Sequence, residues 1–141
     1  MPLPDSSALG HEWTTLQDNH EHYERSSLLI KLSGIALFIA CAALALDGLL
    51  VLLLLALLWL QEAILRTSQS RLGERILRIE QLLREAVQPA PPACQLHSEW
   101  LAARPGLAGL LREYGRNMLR PTVAMPYVVL LGATMLWFPF A

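Results

Sequence analysis

The stretch from Leu28 to Leu65 is apolar along almost all of its 38 residues. As one straight helix it would reach about 57 Å at ~1.5 Å per residue, whereas the hydrocarbon core of a bilayer is ~30 Å thick. One crossing cannot use it all. Asp47 is the only charged residue between Ser33 and Leu60, and Gly48 follows it. Asp-Gly is a turn dipeptide, because Asp bonds its own backbone and Gly tolerates positive φ. Division there leaves Leu28 to Leu46 and Leu49 to Leu65, 19 and 17 residues, each close to the ~20 that a crossing needs. The stretch predicts a transmembrane hairpin over residues 27–66 that turns at 47–48. A carboxylate at its tip stays hydrated, whereas at mid-span it would cost ~2.5 to 3.5 kcal/mol.

The basic residues support the same division. Arg25 and Lys31 stand at the outer end of the first half, and Arg66, Arg71, Arg75, Arg78 and Arg84 follow the second. A hairpin puts all of these cations on one side, which the positive-inside rule identifies as the cytoplasm. Lys31 is expected to snorkel to the headgroups and Trp59 to anchor at the interface. A third apolar stretch, residues 121–141, follows Arg104, Arg112, Arg116 and Arg120 and contains no charged side chain. Read as a third span, it keeps all eleven Lys and Arg inside and puts Trp137, Phe138 and Phe140 in an outer aromatic belt. Pro126 removes a backbone donor near its start, so an interfacial or re-entrant segment is the rival reading.

Composition agrees with a membrane protein: 16% of residues are charged and 54% are hydrophobic, against about a quarter charged in soluble domains. A net charge of −1 argues against nucleic acid as a partner. Cys41 lies in an apolar run and Cys94 in a distant polar connector, so a disulfide is not expected. Residues 1–26 lack the pattern of a secretory signal, so the first apolar run is expected to be retained.

The remaining segments read as helices at the cytoplasmic face. Residues 1–26 form a polar interfacial helix with Trp13, Leu16 and Tyr23 at near-helical spacing. Residues 67–88 continue the second span as a stalk, since Leu65, Gln69, Leu72, Ile76, Ile79, Leu83 and Ala86 recur at alternating spacings of 4 and 3, a heptad seam. That seam is covered either by the protein's own helices or by a second copy in a coiled coil. A Pro-rich linker, 89–97, ends the stalk. Residues 98–120 form an amphipathic membrane-surface helix, with Pro105 in its first turn. Its apolar face is Leu107, Leu110, Leu111, Tyr114 and Met118, and its arginines lie near anionic headgroups. A plain lead-in to the third span explains the segment equally well.

Chemistry is sparse. His11, Glu12, Asp18, His20, Glu21 and His22 cluster near the start, and Cys94 with His97 forms a second small group. None has the paired spacing of a zinc site, and His20 and His22 point apart on a helix. No phosphate loop, nucleophile elbow or metalloprotease motif occurs. No catalytic, metal or cofactor site is expected, and the chain is not read as an enzyme.

The layout of a two-span hairpin running into a cytoplasmic helix, residues 12–86, resembles the SLATT membrane effector domains, which implies a pore-forming hairpin; the third span departs from that pattern. The fold expected is therefore all-α: an integral membrane protein with a transmembrane hairpin, a cytoplasmic stalk and a third C-terminal transmembrane helix. Two functions fit it. One is a non-catalytic accessory, scaffold or assembly subunit that docks on other membrane subunits through Ser33, Ala36, Ala40 and Ala43. The other is a homo-oligomeric pore or transport protein. The expected partners are the lipid bilayer and other membrane subunits or itself, with no nucleic acid. Ten of the eleven basic residues are Arg, in keeping with a GC-rich bacterial genome and an inner-membrane location. Reporter fusions after Ala90 and after Ala141 are expected to give opposite answers, cytoplasmic and extracytoplasmic. Two cytoplasmic signals would show that the third segment does not cross.

Overall fold

The computed structural model describes residues 5–85, 93–103 and 106–138, which are all-helical apart from short connections. Five helices occur: α1 (Asp5–Ala43), α2 (Gly48–Glu85), α3 (Leu96–Ala103), α4 (Leu107–Met118) and α5 (Pro121–Trp137). The first two, of 39 and 38 residues, are each ~57 Å long and pair antiparallel along their whole length. Both are long and apolar enough to cross a membrane. The first does not break at the boundary expected near residue 26, and the second runs on past residue 66 as expected, because no proline occurs at either place and a helix satisfies its own backbone in lipid and in water alike. The N-terminal segment is thus one helix with the first apolar run.

The turn lies two residues earlier than Asp47-Gly48. Leu46 N–H donates to Cys41 O at 3.1 Å and Ala45 N–H to Ala42 O at 3.2 Å. This is the Schellman pattern, in which the residue after the helix end adopts the left-handed conformation. That residue is Ala45, at φ 52°, and not Gly48. Asp47 then caps α2: its Oδ1 accepts from the N–H groups of Leu49 at 2.9 Å and Leu50 at 3.2 Å, two of the donors that a helix start leaves free. Gly48 is the buried first residue of α2.

Toward the turn, Cys41, Val51, Leu55 and Phe138 form one core. Outward, Leu29, Leu32, Ile39, Leu49, Leu53 and Leu57 are exposed, as suits lipid. At the other end of the hairpin, Leu9 and Leu16 of α1 pack against Leu72, Ile76 and Ile79, with Trp13 and Tyr23 beside them. Of the two coverings open to the heptad seam, its own α1 is the one present. Leu83 is exposed, and Ala86 lies outside the described residues.

Residues 89–92 of the Pro-rich linker, together with Arg104 and Pro105, also lie outside the described residues. The segment 98–120 is two helices, since α3 already begins at Leu96 and α4 starts only at Leu107. Helix α5, 17 residues with Pro126 inside it, runs back toward the turn against α1 and α2. Val123, Tyr127 and Thr134 point inward, and Phe138 meets Phe38 edge-on at 5.5 Å. Trp137 is exposed beside it, while Phe140 is outside the described residues. Helices α4 and α5 meet at 71° and together are apolar enough to count as one further crossing segment.

An alanine in the left-handed region is strained by ~1 to 2 kcal/mol. Ala45→Gly is therefore expected to raise stability in detergent-based unfolding by ~1 kcal/mol, whereas Gly48→Ala gives no such gain. Equal responses at the two positions would contradict the turn described.

Candidate functional site

A hairpin that closes at residues 44–47 brings together residues equally far from the turn. Lys31 lies sixteen residues before Asp47 and Glu62 fifteen after it, and the two meet: Lys31 Nζ is 3.1 Å from Glu62 Oε1. Ser27, one helical turn from Lys31 on the same face of α1, donates its hydroxyl to the same oxygen at 2.9 Å. Glu62 is fully buried, at 0% exposure. Counted from Ala43 and Gly48, the pair lies ~18 to 21 Å from the turn at ~1.5 Å per residue, a distance shorter than the ~30 Å thickness of a hydrocarbon core. Lys31 is turned inward to this carboxylate, not outward to headgroups as its position in the sequence led one to expect. The reason is energetic: an unpaired buried carboxylate costs several kcal/mol, and the ammonium across the hairpin removes that cost.

Helix α5 closes the site. It packs over Gly34, where a Cβ would meet Tyr127 Cε1 at 3.6 Å and Leu58 Cδ1 at 3.7 Å, ordinary contact distances. Tyr127, completely buried, brings its hydroxyl toward Glu62 and stacks on Trp59 with ring centroids 6.0 Å apart. Neither that hydroxyl nor Glu62 Oε2 has a partner within hydrogen-bonding geometry, so a small approach would satisfy both. Trp59, expected as an interfacial anchor, donates its indole N–H to Met118 O at 3.1 Å. One turn further along α2, the Thr67 hydroxyl donates to Ala63 O and accepts from Asn117 Nδ2 at 2.7 Å.

A second charged centre ties the far end of the hairpin to α3. Arg75, 4% exposed, binds Glu12 through two parallel bonds, Nε to Oε1 at 2.9 Å and Nη2 to Oε2 at 3.0 Å. Its Nη1 reaches Glu99 at 2.8 Å, and Arg78 holds the other oxygen of Glu99 at 2.9 Å. The backbone N–H of Cys94 also donates to Glu12, at 2.8 Å. Burial alone would push the Glu12 carboxyl up, but the Arg75 hydrogen bonds, the Cys94 N–H and the guanidinium charge together hold it below its ordinary value. Beside this knot Arg71 lies over the Trp100 ring at 4.9 Å, lining a cleft of about 420 Å³ in which arginines and glutamates alternate.

Of the residues weighed for metal binding, Glu12 is engaged by Arg75. His11, Asp18, Glu21, His22, Cys94 and His97 are exposed, and His20 is half-buried. Among the described residues no three His, Cys, Asp or Glu side chains converge. The residues that do converge are Ser27, Lys31, Glu62 and Tyr127, with Asn117 paired separately to Thr67. Sequence reasoning missed Glu62 because it counted it inside an apolar run; the near-equal distances of Lys31 and Glu62 from Asp47 were the signal for it. Chemically the arrangement is a fastener: opposite charges join α1 to α2, and the Tyr127 ring of α5 covers them. Comparison with protein-family models, curated proteins and solved structures returns no match to the chain.

Lys31→Met alone leaves Glu62 buried without a cation and is expected to cost ~3 to 5 kcal/mol, as is removal of a buried partner generally. Lys31→Met combined with Glu62→Met should be much closer to the unmodified protein in detergent unfolding. Strictly additive losses would show that the two charges are not coupled.

Proposed function

We propose that the chain is a small non-catalytic accessory or assembly subunit of a larger complex in the bacterial inner membrane. In this reading its N-terminus and the far end of the hairpin lie in the cytoplasm, and α5 forms a third span that carries the C-terminus outward. The observation that carries the proposal is the division of surfaces at membrane depth. The ionisable groups are turned inward and paired across the hairpin, whereas Ser33, Ala36, Ala40 and Ala43 on α1 stay exposed, uncovered by α2 or α5. In lipid, small residues on an open helix face let another helix approach closely, and close packing is what drives association there. A pore draws less support, because conducting paths need polar groups along their lining and here those groups are inside the protomer.

Replacement of Ala36 and Ala40 by Leu in the same chain is expected to abolish co-elution of a stoichiometric partner after purification in mild detergent, while membrane insertion and abundance are unchanged. A discrete homo-oligomer that passes ions in liposomes would instead establish the pore.

A further inference from the structure

Helix α4 carries large apolar side chains and arginines on its outward side. Its inward face carries polar groups: Asn117 is buried against Thr67, and Glu113 lies 3.7 Å from Arg71. Leu110, Tyr114 and Met118 are half-buried beside them, whereas Leu107 is exposed at 77%, Leu111 at 62% and the adjoining Leu119 at 74%. At ~100° per residue these three exposed leucines fall in one sector. Arg112 and Arg116, also exposed, fall in the next sector round, and Arg120 continues their spacing beyond the helix end. Among the described residues none of these three arginines pairs with a carboxylate. Helix α4 leaves the direction of α5 by 71°, so a helix that follows the hairpin is joined to one that turns sideways where the apolar belt ends.

We infer that α4 is a lipid-binding element: it lies along the bilayer surface with Leu107, Leu111 and Leu119 among the acyl chains, and Arg112, Arg116 and Arg120 hold the phosphates of anionic headgroups. Each feature follows from that placement. An apolar sector beside a basic one suits the boundary between acyl chains and headgroups. Guanidinium groups bind phosphate oxygens two at a time, and an anionic leaflet adds a surface potential that draws each of them in. A soluble protein partner would need a carboxylate-rich groove with an apolar floor; the lipid boundary supplies both sectors at once and adjoins α5 directly. The inference rests on α5 being embedded, and is independent of which protein meets α1.

The test places the full chain in nanodiscs of phosphatidylcholine, with or without phosphatidylglycerol, and follows amide hydrogen exchange over residues 107–118. Exchange is expected to be at least ~10-fold slower with phosphatidylglycerol present, and high salt, which screens the headgroups, should remove the difference. Inorganic phosphate at matched ionic strength should not. The triple variant Arg112→Gln, Arg116→Gln, Arg120→Gln is expected to lose the lipid dependence while α1 and α2 keep their protection, and the corresponding triple Lys variant to retain most of it. Equal exchange in the two lipids, or a difference that survives high salt in the unmodified chain, would overturn the inference even if the Gln variant failed to fold. A chain that is not held in the nanodisc at all would instead count against the three-span reading.

Discussion

Hydrocarbon solvates no ion, so a lysine and a glutamate carried to membrane depth on different helices have to find one another, and the place where Lys31 meets Glu62 sets the register of the whole hairpin. Leucine cannot do this in a bilayer, because lipid is as good a neighbour as another leucine and apolar packing discriminates weakly between registers. Once this pair is fixed, the other levels follow. Cys41 falls beside Val51 toward the turn, while Glu12 meets Arg75 and Trp13 meets Glu80 toward the far end. A slip of one helical turn, ~5.4 Å, would separate all the polar levels at once.

The same logic governs the helices that come later in the chain. Helix α5 contributes no charge, yet its aromatic hydroxyl is aimed at the carboxylate that α1 and α2 already share. Asn117 of α4 is likewise paired with a hydroxyl of α2. Polar side chains, few in number, therefore decide where each segment docks, while the many leucines decide only that the surface between them is apolar. Beyond the apolar belt the balance changes. There, as in a soluble protein, Leu9, Leu16, Leu72, Ile76 and Ile79 form an ordinary core, with the Glu12–Arg75–Glu99 knot sealing one side.

The hairpin was legible because its length exceeded one crossing and a single charged residue interrupted it. The exact turn was less so: the glycine beside Asp47 drew attention, but the geometry of the helix end demanded a left-handed residue two positions earlier, and Ala45 took it. The heptad spacing of the second helix was readable; its partner was not, since periodicity says which face is covered and nothing about what covers it. The hardest feature was the inward side of α4. Apolar periodicity put Leu107, Leu110, Leu111, Tyr114 and Met118 together on one membrane-surface face, but the fold divides that face. Leu107 and Leu111 stay exposed, whereas Leu110, Tyr114 and Met118 are half-buried on the side where Asn117 points in to Thr67, a pairing that apolar periodicity does not register. Glu62 was hidden for a related reason: a hydropathy window dominated by leucines absorbs one carboxylate, whereas folding the window back on itself exposes its counter-ion.

The position of the charges also bears on how copies of this chain could act together. A conduit made by several protomers is lined by their outward surfaces, and at the depth of the Lys31–Glu62 pair those surfaces are Leu29, Leu32, Leu60 and Ile64. To line a path with Glu62 instead, α5 would have to withdraw Tyr127 from it, and α1 would have to release Lys31. That leaves an uncompensated charge in hydrocarbon unless water or ions replace the lost partner in the same movement. An assembly that meets through the small-residue side of α1 requires none of this: the polar centre stays closed, the hairpin keeps its register, and the partner sees only Ser33 and three alanines at close range. The physical chemistry of the buried pair thus favours association from the outside over opening from within.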